Sequence, residues 1–181
     1  VVDNSPDGLL SEHLFATAFE QHPYGNPTVG WMKDLNGLTP TDARAFYKRF
    51  YAPNHATIYI VGDVVPDSVY TMVVKYYGEL LPSVATRPVR PIEQKQNHQK
   101  RKHLTLSMST DRVLVGFKVP EYTHADIPAL LVLDAALTSG RSGYLQRALV
   151  DEGWVSDVSS MILPLKDPSL WEFSLTCRKG V

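Results

Sequence analysis

Cysteine is nearly absent from this sequence. One thiol, Cys177, stands among 181 residues, which excludes an internal disulfide framework and any zinc site built on several cysteines. Excess charge of either sign is missing too. Lys+Arg 18 against Asp+Glu 19 leaves a net charge of -1, so there is no broad electrostatic reason to bind nucleic acid or an anionic membrane. No apolar run approaches the roughly 18 residues of a membrane span. What is present, 44% hydrophobic and 20% charged residues, is the composition of a globular chain with room for one ordinary domain or two small ones. The chain starts at Val1 without Met and stops on the strand-like stretch ending Lys179-Gly180-Val181. It reads as a piece of a longer protein.

Asn4-Ser5-Pro6-Asp7 is a helix-start signal, with Ser5 as cap, Pro6 at the first helical position and Asp7 at the positive end of the dipole. Thr39-Pro40-Thr41-Asp42 is a second start of capping-box type, followed by Ala43, Phe46, Tyr47 and Phe50 at helical spacing. Residues 56–61 (ATIYIV) read as a buried strand, and Pro66-Asp67-Ser68 opens a helix that stops at Gly78. From Pro82 to about Lys100 the chain carries Pro82, Pro88 and Pro91 with no apolar period, and reads as a linker. Beyond it, residues 104–108 and 113–119 suggest a hairpin across Thr110-Asp111. A helix is expected from Asp126 through Leu137, with a break at Ser139-Gly140-Arg141-Ser142-Gly143 and resumption over 144–150. Residues 155–163 and 170–177 read as two further strands. Helices and strands segregated in this way predict an α+β fold with mainly antiparallel sheets flanked by helices.

Complete catalytic constellations are missing. The histidines are His13, His22, His55, His98, His103 and His124, and no two stand four apart on a predicted helix. Leu9-Leu10-Ser11-Glu12-His13 would be a His-x-x-Glu-His zinc motif only if Leu9 were His, and leucine has no donor atom. An ordinary helix with Glu12 and His13 on its wet side is the plainer reading. Ser139 to Gly143 lacks the order of a nucleophile elbow, and Gly140 and Gly143 lack the spacing of a phosphate loop. Two readings stay open there, a helix break or a flexible backbone that approaches a ligand or peptide. Lys95, Lys100, Arg101 and Lys102 with His98 and His103 form a basic run without interleaved aromatics, the pattern of a solvated cluster. His22-Pro23-Tyr24 reads as a rigid loop whose ring packs while its hydroxyl finds a partner, and Cys177 as an inert buried thiol in a strand.

Several segments, in order and at matching spacing, resemble one family. They are Asn4-Ser5-Pro6-Asp7-Gly8-Leu9-Leu10, Ala16 to Phe19, His22-Pro23-Tyr24-Gly25-Asn26-Pro27, Gly30 to Leu35, Leu38-Thr39, Phe46 to Asn54, Val61 to Val64, Leu137 to Leu145 and Arg147 to Val150. The chain is similar to the insulinase/pitrilysin-type zinc metallopeptidases, especially bacterial members similar to mitochondrial processing peptidase. The resemblance implies two α+β half-domains, truncated here, around a peptide-binding chamber. Residues 1–82 would be the back part of the first half, 83–100 the linker, and 101–181 the front part of a second, ligand-free half. It implies zinc in the parent protein but no metal ligand or catalytic residue within this segment, since all three ligands and the base would lie ahead of Val1. It assigns Gly140, Arg141, Ser142 and Gly143 to substrate contact. It further implies a peptide or unfolded polypeptide as substrate and a periplasmic or cytoplasmic location in a bacterium. The balanced charge already argues for no nucleic acid and no membrane as partners, and a homo- or hetero-oligomer stays open. Some relatives of this type serve instead as non-catalytic partner or core subunits, and residues 1–181 do not separate the two roles.

Overall fold

The computed structural model describes residues 5–84 and 89–180. Asn4 of the first start signal and Pro88 of the linker fall outside that set. Two compact units emerge, the described parts of Val1–Thr28 with Pro91–Val181, and Val29–Arg90. The helix formed by Pro6–Ala18 groups with the later strands.

That larger unit is built on a three-stranded antiparallel sheet. Its strands are β1 (Arg112–Val119), β2 (Val155–Ile162) and β3 (Ser169–Cys177), with β3 between the other two. Strand alternation sorts β3 into two faces. Trp171, Phe173 and Leu175 lie opposite Phe117, Val115 and Val113 on one side, and opposite Ile162, Ser160 and Val158 on the other. Helix α5 (Ile127–Thr138) covers this face through Ile127, Leu130 and Leu137, completing the core with Val119, Ile162, Trp171 and Phe173. The opposite face bears Leu170, Glu172 and Gly116. There α1 (Pro6–Ala18) seats Leu14 so closely that a methyl group added at Gly116 would meet it at 3.2 Å. Arg112 Nη1 donates to both carboxylate oxygens of Asp7, at 2.8 and 2.9 Å, and holds the start of α1 to β1.

Local chemistry forms these ends as expected. Ser5 accepts from the Gly8 amide at 3.2 Å, with Pro6 at the first helical position. In the smaller unit, Thr39 and Asp42 exchange the two bonds of a capping box at the start of α3 (Pro40–Phe50). A four-residue helix, α2 (Met32–Leu35), precedes it, and α4 (Pro66–Tyr77) follows and ends at Gly78. Asn54 and Ser83 exchange side-chain to backbone hydrogen bonds of 2.9 Å, tying the turn after α3 to the chain after α4.

Two expected strands do not form ladders. Residues 104–108 have no strand pairing, and β1 pairs with β3 instead of closing a hairpin. The core residues Trp171 and Phe173 offer β1 far more apolar surface than Leu104 and Leu106 do. Residues 56–61 likewise lack a partner strand among the described residues, and Tyr59 and Val61 are 85% and 97% exposed. A strand needs a neighbour to satisfy its backbone, and its apolar side chains then need a covering layer. Only Ala52 is buried among the described residues of 29–90. Cys177 does lie in a strand, but half-buried. No helix among the described residues is long and apolar enough to cross a membrane.

Candidate functional site

Gly140 to Gly143 form a four-residue turn at the C-terminal end of α5. The Gly143 amide donates to the Gly140 carbonyl at 3.3 Å, and the Arg147 amide donates to the Gly143 carbonyl at 3.1 Å. Gly140 has φ +59, a left-handed conformation that favours glycine. Gly140, Arg141 and Ser142 are exposed, whereas Gly143 is buried. A Cβ at Gly143 would lie 3.0 Å from the Leu137 carbonyl oxygen, so the turn folds tightly back on the helix end. A π-helix, Gln146–Asp151, follows. Such wide turns are rare and gather at functional sites. Residues 140–142 are thus presented to solvent on a braced base.

Beneath the turn lies a polar cluster that sequence reading did not single out. Asp134 on α5 accepts from the Trp171 indole Nε1 at 2.7 Å and from the Ser160 hydroxyl. The signal was present in the sequence, because Asp134 is the one charged residue between Ile127 and Thr138.

The His22-Pro23-Tyr24-Gly25 loop does pack as a rigid knot. His22 Nδ1 accepts from the Tyr24 amide at 3.2 Å, which leaves the ring proton on Nε2, 3.5 Å from Asp167 Oδ2. The Tyr24 hydroxyl accepts from the Asp167 amide at 3.1 Å, and its ring meets Phe19 edge-on at 5.8 Å. Glu93, in the expected linker, accepts from the Gln21 and His22 amides at 2.9 Å each. Burial would raise its carboxyl pKa, but the amides of His22, Gln21 and Glu20 outweigh that and hold it below the usual value. Lys118, 4.2 Å above the Phe19 ring, is pushed down by burial, with Glu93 opposing. Lys100 of the basic run is held by Glu20 and the Thr17 carbonyl.

Glu172, buried on the central strand, has its carboxyl raised above the ordinary 4.5 by loss of solvation. A raised carboxyl pKa makes the folded state prefer the protonated form. Its contribution is intact below the unfolded value and is lost as pH rises through the folded one. Glu172→Gln should therefore leave the thermal midpoint unchanged below pH 4.5 and raise it progressively as pH passes from there through the elevated folded value, above which the gain is constant. Melting curves across a pH series check this, and a uniform loss at every pH would contradict it.

Zinc does not fit the donors among the described residues. No three His, Cys, Asp or Glu side chains converge among the described residues. Glu12 and His13 lie on α1, half-exposed, with Leu9 one turn before His13. No chemical step through a metal is assigned to this chain.

Residues 37–180 match the family model described as the peptidase M16 inactive domain. The chain belongs to the peptidase M16 family. A zinc protease from Helicobacter pylori, PqqE, is 33% identical over 181 aligned residues, covering 94% of this chain and 39% of that protein. A probable mitochondrial-processing peptidase subunit alpha from Schizosaccharomyces pombe is 33% identical over 87 residues, covering 48% of this chain and 17% of that one. Among solved structures, a protease from Helicobacter pylori superposes with a TM-score of 0.80 at 30% identity, covering 99% of this chain and 44% of that one. This M16 chain thus spans about two fifths of the length of these Helicobacter pylori relatives. Its mixed helices and antiparallel sheet agree with the α+β expectation.

Proposed function

We propose that this M16 chain is a segment of a zinc metalloendopeptidase that hydrolyses peptide bonds in peptides or unfolded polypeptides. The segment supplies scaffold and a peptide contact, and the metal ligands belong to other parts of the parent. The identity to a zinc protease over 94% of the chain carries this reading, and the likeness to an inactive-domain model supports the division of labour. In the parent, residues 1–82 are the back part of one half, 83–100 the connection, and 101–181 the front part of the other. The exposed apolar side chains of residues 56–61 are covered there. Gly140, Arg141, Ser142 and Gly143 meet the substrate, whose extended backbone finds unpaired hydrogen-bonding groups at the turn. Broad sequence preference follows from main-chain recognition.

The natural full-length protein tests this. One zinc per chain and chelator-sensitive cleavage of an unfolded polypeptide are expected. Paired Arg141→Ala and Ser142→Ala changes should weaken substrate binding with little change in kcat, a rise in KM of roughly tenfold. A second reading, a non-catalytic partner or core subunit, draws on the identity to two proteins named as subunits alpha and beta of a processing peptidase, since a subunit works within an assembly. A full-length protein without zinc or cleavage, co-purifying with a catalytic relative, would establish that reading instead.

A further inference from the structure

We infer that Asp134 is a positioning residue that fixes the root of the Gly140–Gly143 turn. The inference rests on the reading of that turn as a peptide contact.

Helix α5 is apolar nearly throughout, and its single charge points inward. Leu131, Val132 and Leu133 are 41%, 72% and 47% exposed, whereas Asp134 is half-buried against the sheet. A carboxylate on a core-facing surface is costly unless its oxygens are satisfied, and a leucine there would pack at least as well. What Asp134 adds is direction. Its Oδ1 accepts from Trp171 on the central strand at 2.7 Å and from Ser160 on the edge strand β2. Apolar contacts between a helix and a sheet tolerate small slides, whereas hydrogen bonds to two different strands fix the helix in rotation and along its axis.

The same cluster reaches the turn. Thr138, one helical turn further on, has Oγ1 2.9 Å from both the Asp134 carbonyl oxygen and Ser160 Oγ. With the Ser160 proton on the carboxylate, Thr138 donates to one of these two acceptors at a time. Ser139 then leaves the helix, and Gly140 reverses the chain. The turn closes where it began, because a Cβ at Gly143 would lie 3.0 Å from the Thr138 carbonyl carbon and 3.2 Å from the Ser139 nitrogen. One connected path therefore runs from β3 through Asp134, Ser160 and Thr138 to both ends of the turn. The exposed 140–142 backbone takes its place from that path.

Amide hydrogen exchange on the natural full-length protein, and its peptide affinity in the presence of a chelator, test this together. The probe is reduced, carboxymethylated, fluorescein-labelled lactalbumin. Asp134→Leu is expected to speed exchange at 139–144 about tenfold relative to β3 and to weaken probe binding by about the same factor. Asp134→Asn retains an acceptor oxygen and is expected to restore both to within about twofold, with the Trp171 indole N–H resonance still shifted by its hydrogen bond. Leu130→Ala, which loosens the same helix without touching the cluster, should lower stability but leave turn exchange unchanged relative to β3. If Asp134→Leu fails to fold, Ser160→Ala removes one donor and the Thr138 bridge, and its turn exchange decides. Turn exchange in Asp134→Leu equal to that in Leu130→Ala would overturn the positioning role. Unchanged probe affinity in Arg141→Ala with Ser142→Ala would instead remove the turn as a contact, and exchange would still judge Asp134 by itself.

Discussion

Trp171→Ala is expected to lower the unfolding free energy by about 3–5 kcal/mol, the range for deleting a buried aromatic side chain. Trp171 is 6% exposed in the middle of the central strand and packs on Phe173 with ring centroids 4.6 Å apart. It also faces Phe117 of β1 and Ile162 of β2 across the ladder, so the cavity opens where all three strands meet. A second loss adds to this. The indole N–H that satisfies Asp134 disappears, leaving the carboxylate dependent on Ser160. Trp171→Phe separates the two effects by keeping a ring without the donor, and about 1–3 kcal/mol is expected for the orphaned acceptor together with the lost volume. Urea denaturation followed by far-ultraviolet circular dichroism measures both. Equal costs for the two variants would show that packing contributes little and that the hydrogen bond dominates.

Gly25→Ala is expected to cost about 2–3 kcal/mol by overpacking. The reason is space, since Gly25 has no positive φ. A Cβ there would come 2.2 Å from the Phe19 carbonyl oxygen and 3.2 Å from its carbonyl carbon. Backbone cannot swing aside as the end of a long side chain can, so the His22–Gly25 turn must move. Moving it separates the Tyr24 hydroxyl from the Asp167 amide and His22 from Asp167. The expected signature is a lower denaturation midpoint with faster exchange at the Asp167 amide. A midpoint equal to that of the unmodified chain would contradict this close approach.

The sequence made some of this legible and hid the rest, for identifiable reasons. Helix starts at Ser5 and Thr39 were readable because caps act within four residues, and both form the expected bonds. Strands β2 and β3 and the end of α5 followed from local period and from the glycines after Thr138. Pairing was less visible. Residues 104–108 and 56–61 have strand-like composition, but a ladder depends on a distant neighbour that local pattern does not reveal. The partner of β1 proved to be β3, about sixty residues away, in line with the slow entropic cost of closing long loops. The turn at Gly140 to Gly143 could be located from sequence, whereas its bracing by Ser160 and Trp171 could not, because those residues converge only in the folded sheet. Glu93 was concealed in a stretch whose prolines suggested a linker, yet it fastens the chain to the loop after α1.

The most direct measurement combines metal analysis with a cleavage assay on the 181-residue chain. The protein is loaded with excess zinc, dialysed, and assayed with an unfolded polypeptide in the presence and absence of a chelator. Polypeptide binding without a retained equivalent of zinc and without cleavage is expected. One tightly held zinc per chain, with cleavage that the chelator abolishes, would contradict the assignment of this segment to scaffold and substrate contact.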